Sequence, residues 1–259
     1  MILTVEIGNK TVRFSFFGEN GGAPDETLTL SSRRTDDEFA AALRSTESVR
    51  SKRVAQCAVV ASVVPALTAT VTEAVRRVFP EIKTLAVGHG LRTGLDIRTD
   101  YQSELGADIA ANAVGAKSLV RPPFAVVDLG ECAATVSFVD GEKRFQGVAI
   151  MPGLCSSARA LSADCASLPE VGLSPETAAP VLGKNTTDSI AGGLINGFAA
   201  MIDGMLDRIA AEYDCGDGLC VILTGKCADA VAPRLTHSVR CEPHLAALGL
   251  YEFWRINSK

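Results

Sequence analysis

Glu6 and Asp128 each close an apolar run and stand two residues ahead of a glycine, in "VEIGNK" (5–10) and "VDLGE" (127–131). An acid, a spacer and a glycine at a strand end are the parts of a phosphate-holding turn. Glycine lets the backbone approach an anion closely. Successive turn amides donate to it, and the neighbouring carboxylate can hold Mg²⁺ or a water. The first turn adds Asn9 and Lys10, the second Glu131.

The elements around these turns repeat. Residues 5–16, "VEIGNKTVRFSF", and 127–138, "VDLGECAATVSF", share an apolar strand, the acid–apolar–glycine turn and a second strand ending in phenylalanine. Each then meets another turn, "GENGG" or "VDGEK". This reads as one hairpin used twice; two buried hairpins alike by chance are the alternative. Facing each other, such hairpins would grip a nucleoside triphosphate. Residues 54–65 read as a β-branched strand stopped by Pro65, 66–78 as a helix, and 218–226 as a strand ending in the small-residue turn of Gly225 and Lys226. Ile190, Leu194, Phe198, Met201, Met205 and Ile209 fall at helical spacing in a helix from about Thr187 to Tyr213, the methionines serving as core. The pattern predicts an α/β protein of two similar domains flanking a central cleft. Pro122-Pro123 suggests a boundary, giving domains 1–117 and 118–259.

Bulk properties exclude several classes. The chain has 259 residues, 47% of them apolar and 21% charged, with a net charge of −5. No basic groove for nucleic acid is expected, and Arg33-Arg34 and Arg50, Lys52 and Arg53 read as solvated surface. The start reads as a strand rather than a signal peptide. The least charged run, Ser189–Ile202, has 14 residues and is too short to cross a bilayer. Eight cysteines form no C-x-x-C pair, and His89, His237 and His244 complete no zinc pattern. The cysteines read as reduced, mostly buried thiols of a cytoplasmic protein. Cys215 and Cys220 flank a turn and are a candidate bridge.

Eight landmarks in order carry a resemblance: "EIGNK", "ASVVP" (61–65), "TGLDIRTD" (93–100), "ELGADIAANAVGA" (104–116), "VVDLGE" (126–131), "GVAIMPGL" (147–154), "LGKNTTDSIAGG" (182–193) and "LTGK" (223–226). With these the chain resembles the type III pantothenate kinases of the actin-like, hexokinase-like ATPase superfamily. The resemblance implies two ribonuclease-H-like domains with mixed sheets. It implies transfer of phosphate from ATP to pantothenate, giving 4'-phosphopantothenate at the first step toward coenzyme A. It further implies Mg²⁺, a monovalent cation (K⁺ or NH₄⁺) and a dimer. By position, Asp108 matches the catalytic base, Asp128 the cation-binding aspartate, and Thr186 a substrate contact. Thr99, Gly106, Ala107 and Ile109 fall at the acceptor side. Glu6, Gly8, Asn9, Lys10, Gly130, Glu131, Gly225 and Lys226 fall at the nucleotide side. From the residues alone, Asp108 and Thr186 also read as helix caps and Asp128 as a strand-end turn residue.

The chain departs from the family pattern near the expected chemistry. The family writes Asp at Glu6, Thr at Lys10, Tyr at Thr99, Arg at Ile109, Thr-Ala-Thr-Thr at residues 131–134, and Gly at Lys226. Ile109 cannot make the charge-assisted hydrogen bond of an arginine, a loss of roughly 1.5–3 kcal/mol. Glu131 puts a negative charge beside the expected triphosphate unless a cation or Lys10 compensates it. Lys226 either fills the nucleoside slot or brings its amine to a phosphate; Lys10 and Glu131 are also a candidate salt bridge. Three readings follow. The chain is a working pantothenate kinase, an impaired paralogue completing the site of an active partner subunit, or a kinase for another small hydroxyl substrate.

Overall fold

The structure, a computed structural model, describes every residue except Glu19, His89 and Lys259, and every side chain of the rest except that of Asp217. The turn "GENGG" therefore contains one residue outside the description, and His89 lies outside the described residues. The chain forms two compact units, Met1–Leu119 with His244–Lys259, and Val120–Pro243. The C-terminal segment thus belongs with the first unit, a return that a single cut after residue 117 does not contain.

The first unit is built on β1 (Ile2–Ile7), β2 (Thr11–Phe17), β3 (Glu26–Ser31), β4 (Cys57–Ser62) and β5 (Lys83–Ala86), in the order β3-β2-β1-β4-β5. Strand β2 runs antiparallel to β1 and β3, whereas β4 is parallel to β1 and β5. Helices α1 (Asp36–Ser45) and α3 (Pro65–Val78) cover one face; α2 (Glu47–Arg50) and the two-residue strand β6 (Asp96–Ile97) are minor. Leu3, Val5 and Ile7 pack on that face with Phe14, Phe16, Phe39 and Val71. Ile2, Phe17 and Val59 pack on the other with α4 (Ala107–Leu119) and α8 (Leu245–Asn257). Both faces of β1 are covered, so Ile2 and Thr4 are as fully buried on the second face as Leu3 and Val5 are on the first. Each fully buried phenylalanine or leucine here contributes about 1.5–3 kcal/mol.

Small residues set the α4–α8 crossing. A Cβ on Gly249 would overlap the Ala111 carbonyl, and one on Gly115 would overlap that of Leu245. The helices can therefore close to backbone contact, which fixes α4 and with it Asp108 in its first turn.

The second unit repeats the sheet. Strands β7 (Phe124–Leu129), β8 (Ala133–Val139), β9 (Arg144–Pro152), β10 (Cys220–Thr224) and β11 (Val239–Cys241) lie in the order β11-β10-β7-β8-β9 with the same directions. The first hairpin pairs Ile2 with Phe17 through Ile7 with Val12, and the second pairs Phe124 with Val139 through Leu129 with Ala134. The registers coincide, so Glu6 and Asp128 occupy the same rung, opposite Arg13 and Thr135. Helices α5 (Leu154–Asp164), α6 (Thr186–Glu212) and α7 (Ala228–Val231) complete the unit. Ala125, Val127 and Leu129 pack against Leu154, Phe198, Ile202 and Leu206. The turn "VDGEK" is held by Asp140, whose carboxylate accepts from the Glu142 and Arg144 amides and from Arg144 Nε and Gln146 Nε2.

Three expectations change. Helix α6 spans Thr186–Glu212, as its helical spacing predicts, but the apolar stretch is not too short to cross a bilayer: by length and composition this helix could span a membrane, yet half of its apolar window is buried. The cysteines are not mostly buried: Cys57 and Cys227 are, whereas Cys165, Cys220 and Cys241 are exposed. Cys215 and Cys220 are both free thiols. Arg33, Arg34, Arg50 and Lys52 are exposed as expected, and Arg53 pairs with Asp25 at 2.7 Å.

Candidate functional site

In the first unit the turn Gly8-Asn9-Lys10 is closed by the Gly8 amide, which donates to Thr11 O at 2.9 Å. Asn9 and Lys10 are exposed at its tip. Glu6 is half-buried and lies 3.8 Å from Arg13 across the hairpin. Arg13 is a partner the turn motif does not reveal; the clue is its position on the cross-strand rung.

Asp108 is the second residue of α4, inside the helix rather than at its cap. Its Oδ1 accepts from the Ile109 amide at 2.8 Å, and a Cβ on Gly106 would come within 2.6 Å of that oxygen. Gly106 thus leaves room for the carboxylate to fold back over the helix start, where the dipole favours negative charge. Ala107 and Ala110, on either side, line a cavity of about 100 Å³ with Leu91, Thr93, Ile97 and Leu105. The wall is pinned to α8: Asn257 Oδ1 accepts from the Arg92 amide, and Asn257 Nδ2 donates to Arg92 O, both at 3.0 Å. Ile109 is 8% exposed and packed inward. The Thr99 hydroxyl is buried and has no hydrogen-bond partner among the described residues.

In the second unit the turn Gly130-Glu131-Cys132 is clamped to the start of α5. The Gly153 amide donates to Cys132 O at 2.9 Å and the Ser156 amide to Glu131 O at 3.1 Å. A Cβ on Gly153 would sit 2.6 Å from Gly130 O, so only glycine allows this approach. Gly225 has φ +97°, and its Cβ position is 2.6 Å from the Leu129 backbone and still closer to the Asp128 carboxylate. The Cys227 amide donates to Leu129 O at 2.9 Å. These contacts bring Asp128, Glu131, Gly225 and Lys226 into one cluster, and Lys226 Nζ lies 3.1 Å from Glu131 Oε1. Glu131 therefore pairs with Lys226 of its own unit. Beside this turn Cys227 Sγ is 3.9 Å from Cys155 Sγ. Burial, then the neighbouring Cys155, pushes the Cys227 thiol up to about 12. The pairing spans 72 residues and leaves no mark in local sequence.

Thr186 is exposed at the first position of α6, and the cap is Asn185, whose Oδ1 accepts from the Asp188 amide at 2.9 Å. Thr186 therefore follows the cap rather than forming it. Among the described residues no group of three His, Cys, Asp or Glu side chains is placed to hold a metal.

The fold is an α/β fold with mixed sheets. Its structural likenesses include a Baf-family protein of Campylobacter jejuni, at TM-score 0.60 and 18% identity over 99% of this chain and 98% of that one. They also include the activator of 2-hydroxyisocaproyl-CoA dehydratase from Clostridium difficile with bound ADPNP, at TM-score 0.55 and 12% identity over 99% and 96%. The profile of the type III pantothenate kinases matches residues 2–208. The type III pantothenate kinase of Streptomyces coelicolor is 33% identical over 263 aligned positions, 96% of each chain. The chain belongs to the type III pantothenate kinase family.

Proposed function

We propose that this chain transfers the γ-phosphoryl group of ATP to the hydroxyl of pantothenate. The match of residues 2–208 to the family, a span that includes both acid–glycine turns and Asp108, carries this reading. The Glu131–Lys226 pair supports it, because the negative charge that would repel a triphosphate already has a cation beside it.

In this mechanism Asp108 is the base. Its carboxylate takes the proton from the pantothenate hydroxyl while that oxygen bonds to the γ-phosphorus and the bond to the β-phosphate oxygen breaks, releasing ADP. The cavity beside Ala107 and Ala110 receives the apolar part of pantothenate. Glu6, Gly8, Asn9 and Lys10, with Gly130, Glu131, Gly225 and Lys226, form the nucleotide turns. Asp128 would hold the cations. Its carboxylate fits Mg²⁺, an ion that proteins bind through one or two carboxylates and phosphate oxygens rather than a complete protein cage. Bound Mg²⁺ would supply positive charge to the phosphates, and K⁺ or NH₄⁺ the monovalent cation. The cytoplasm is the location this reading implies.

A second reading rests on Val181 and Leu182, 75% and 85% exposed immediately ahead of Gly183 and Thr186. In it, this face meets another subunit, identical or related, and Thr186 contributes to that subunit's acceptor site. Purified chain given ATP, Mg²⁺, K⁺ and pantothenate should form 4'-phosphopantothenate, and Asp108→Asn should abolish turnover while leaving ATP binding. Loss of ATP binding together with turnover would count against the base assignment. Turnover only after adding a related subunit would favour the second reading.

A further inference from the structure

Cys155 and Cys227 stand apart from the other cysteines because they meet. Their sulfurs are 3.9 Å apart, one in the first turn of α5 and the other directly after Lys226. Both elements are tied to the Gly130–Cys132 hairpin, α5 through Ser156 N–Glu131 O and the following turn through Cys227 N–Leu129 O. The two thiols are therefore held side by side by backbone bonds on either flank.

We propose that Cys155 and Cys227 form a reversible modification site whose co-reactant is a low-molecular-weight disulfide. Cys155 is half-buried whereas Cys227 is 7% exposed, so Cys155 is the sulfur a small reagent reaches. The Cys155 thiolate, its proton released to solvent, attacks the reagent disulfide and expels one thiolate. Cys227 then attacks the Cys155 sulfur of the mixed disulfide, giving up its own proton and expelling the second thiolate. The two leaving thiolates take up the two protons. One protein disulfide forms and one reagent disulfide is reduced to two thiols. The step draws the sulfurs from 3.9 Å to bonding distance, a closure of about 2 Å. It pulls on the Lys226–Glu131 pair, since Lys226 adjoins Cys227 and the Glu131 backbone is bonded to Ser156 beside Cys155.

The test is chemical and does not depend on kinase activity. The full native chain is incubated with oxidised glutathione, unfolded with an alkylating agent present, digested and mapped by mass spectrometry. The expected result is a 155–227 linked peptide, reversed by dithiothreitol, alongside glutathione adducts on exposed Cys165, Cys220 and Cys241. Cys227→Ser should replace the linkage with a lasting glutathione adduct on Cys155. The proposal is overturned if wild-type Cys155 is recovered alkylated or as a persistent glutathione adduct, without linkage. It is also overturned if chain unfolded in guanidinium before oxidation gives the linkage in equal yield, because the fold would then contribute nothing.

Discussion

Lys226 Nζ lies 3.1 Å from Glu131 Oε1, and Gly225, at φ +97°, seats that lysine's turn against the Asp128 strand end. The two charges are opposite in sign and offset each other. Removing either should therefore cost more than removing both. Lys226→Ala should weaken ATP binding about tenfold, or about 1.4 kcal/mol, by leaving Glu131 unpaired beside the phosphates. The double variant Glu131→Ala/Lys226→Ala should recover most of that loss. A double-mutant cycle by calorimetry measures the coupling. Fold stability should change by less than about 1 kcal/mol, because the lysine side chain is 65% exposed.

Gly225→Ala should destabilise the second unit by at least about 2 kcal/mol, through positive φ and overlap with the Leu129 backbone. Gly193 is the control: it is exposed in the middle of α6 with no atom within 4 Å of its Cβ position. Gly193→Ala should stabilise the chain by about 0.5–1 kcal/mol. Denaturant midpoints of the two variants should move in opposite directions.

Asp140 predicts an acid dependence of stability. Burial pushes its carboxyl up, but hydrogen bonds from Arg144, Gln146 and Glu142 outweigh burial and hold it at about 2, against an ordinary 3.8. A folded value below the unfolded one contributes stability that is complete above about pH 4 and is lost as pH falls toward 2. The contribution is on the order of 2 kcal/mol at neutral pH. Asp203 is lowered in the same direction; burial opposes the shift, and donors from Thr236 and His237 prevail. Asp140→Asn should reduce stability at pH 7 and converge with wild type near pH 2 in urea melts.

Ser103 borders the cavity from an exposed position. Ser103→Trp should fill the cavity while sparing Asp108 and the glycine turns. The KM for pantothenate should rise about tenfold or more, with the Kd for ATP unchanged. Initial-rate kinetics alongside ATP calorimetry separate the two.

The hairpins were legible in sequence because a fixed strand–acid–glycine–strand register leaves its mark in letters close together. So was the start of α4, where Gly106 and Asp108 adjoin an alanine-rich run. The rest depends on distance along the chain. Glu131 reads locally as an uncompensated charge, and its partner is 95 positions away at Lys226. The return of α8 to the first unit rests on Gly249 meeting Ala111, a contact no periodicity shows. Thr186 and Asn185 are both good capping types, and only the backbone geometry separates them.

The central claim is that the turns hold ATP because the charges of Glu131 and Lys226 cancel. Calorimetric titration of the purified chain with ATP, in Mg²⁺ and K⁺, tests it directly. Saturable binding, weakened by Lys226→Ala and restored in the double variant, is the predicted result. No detectable heat at millimolar ATP, with the chain folded, would contradict it.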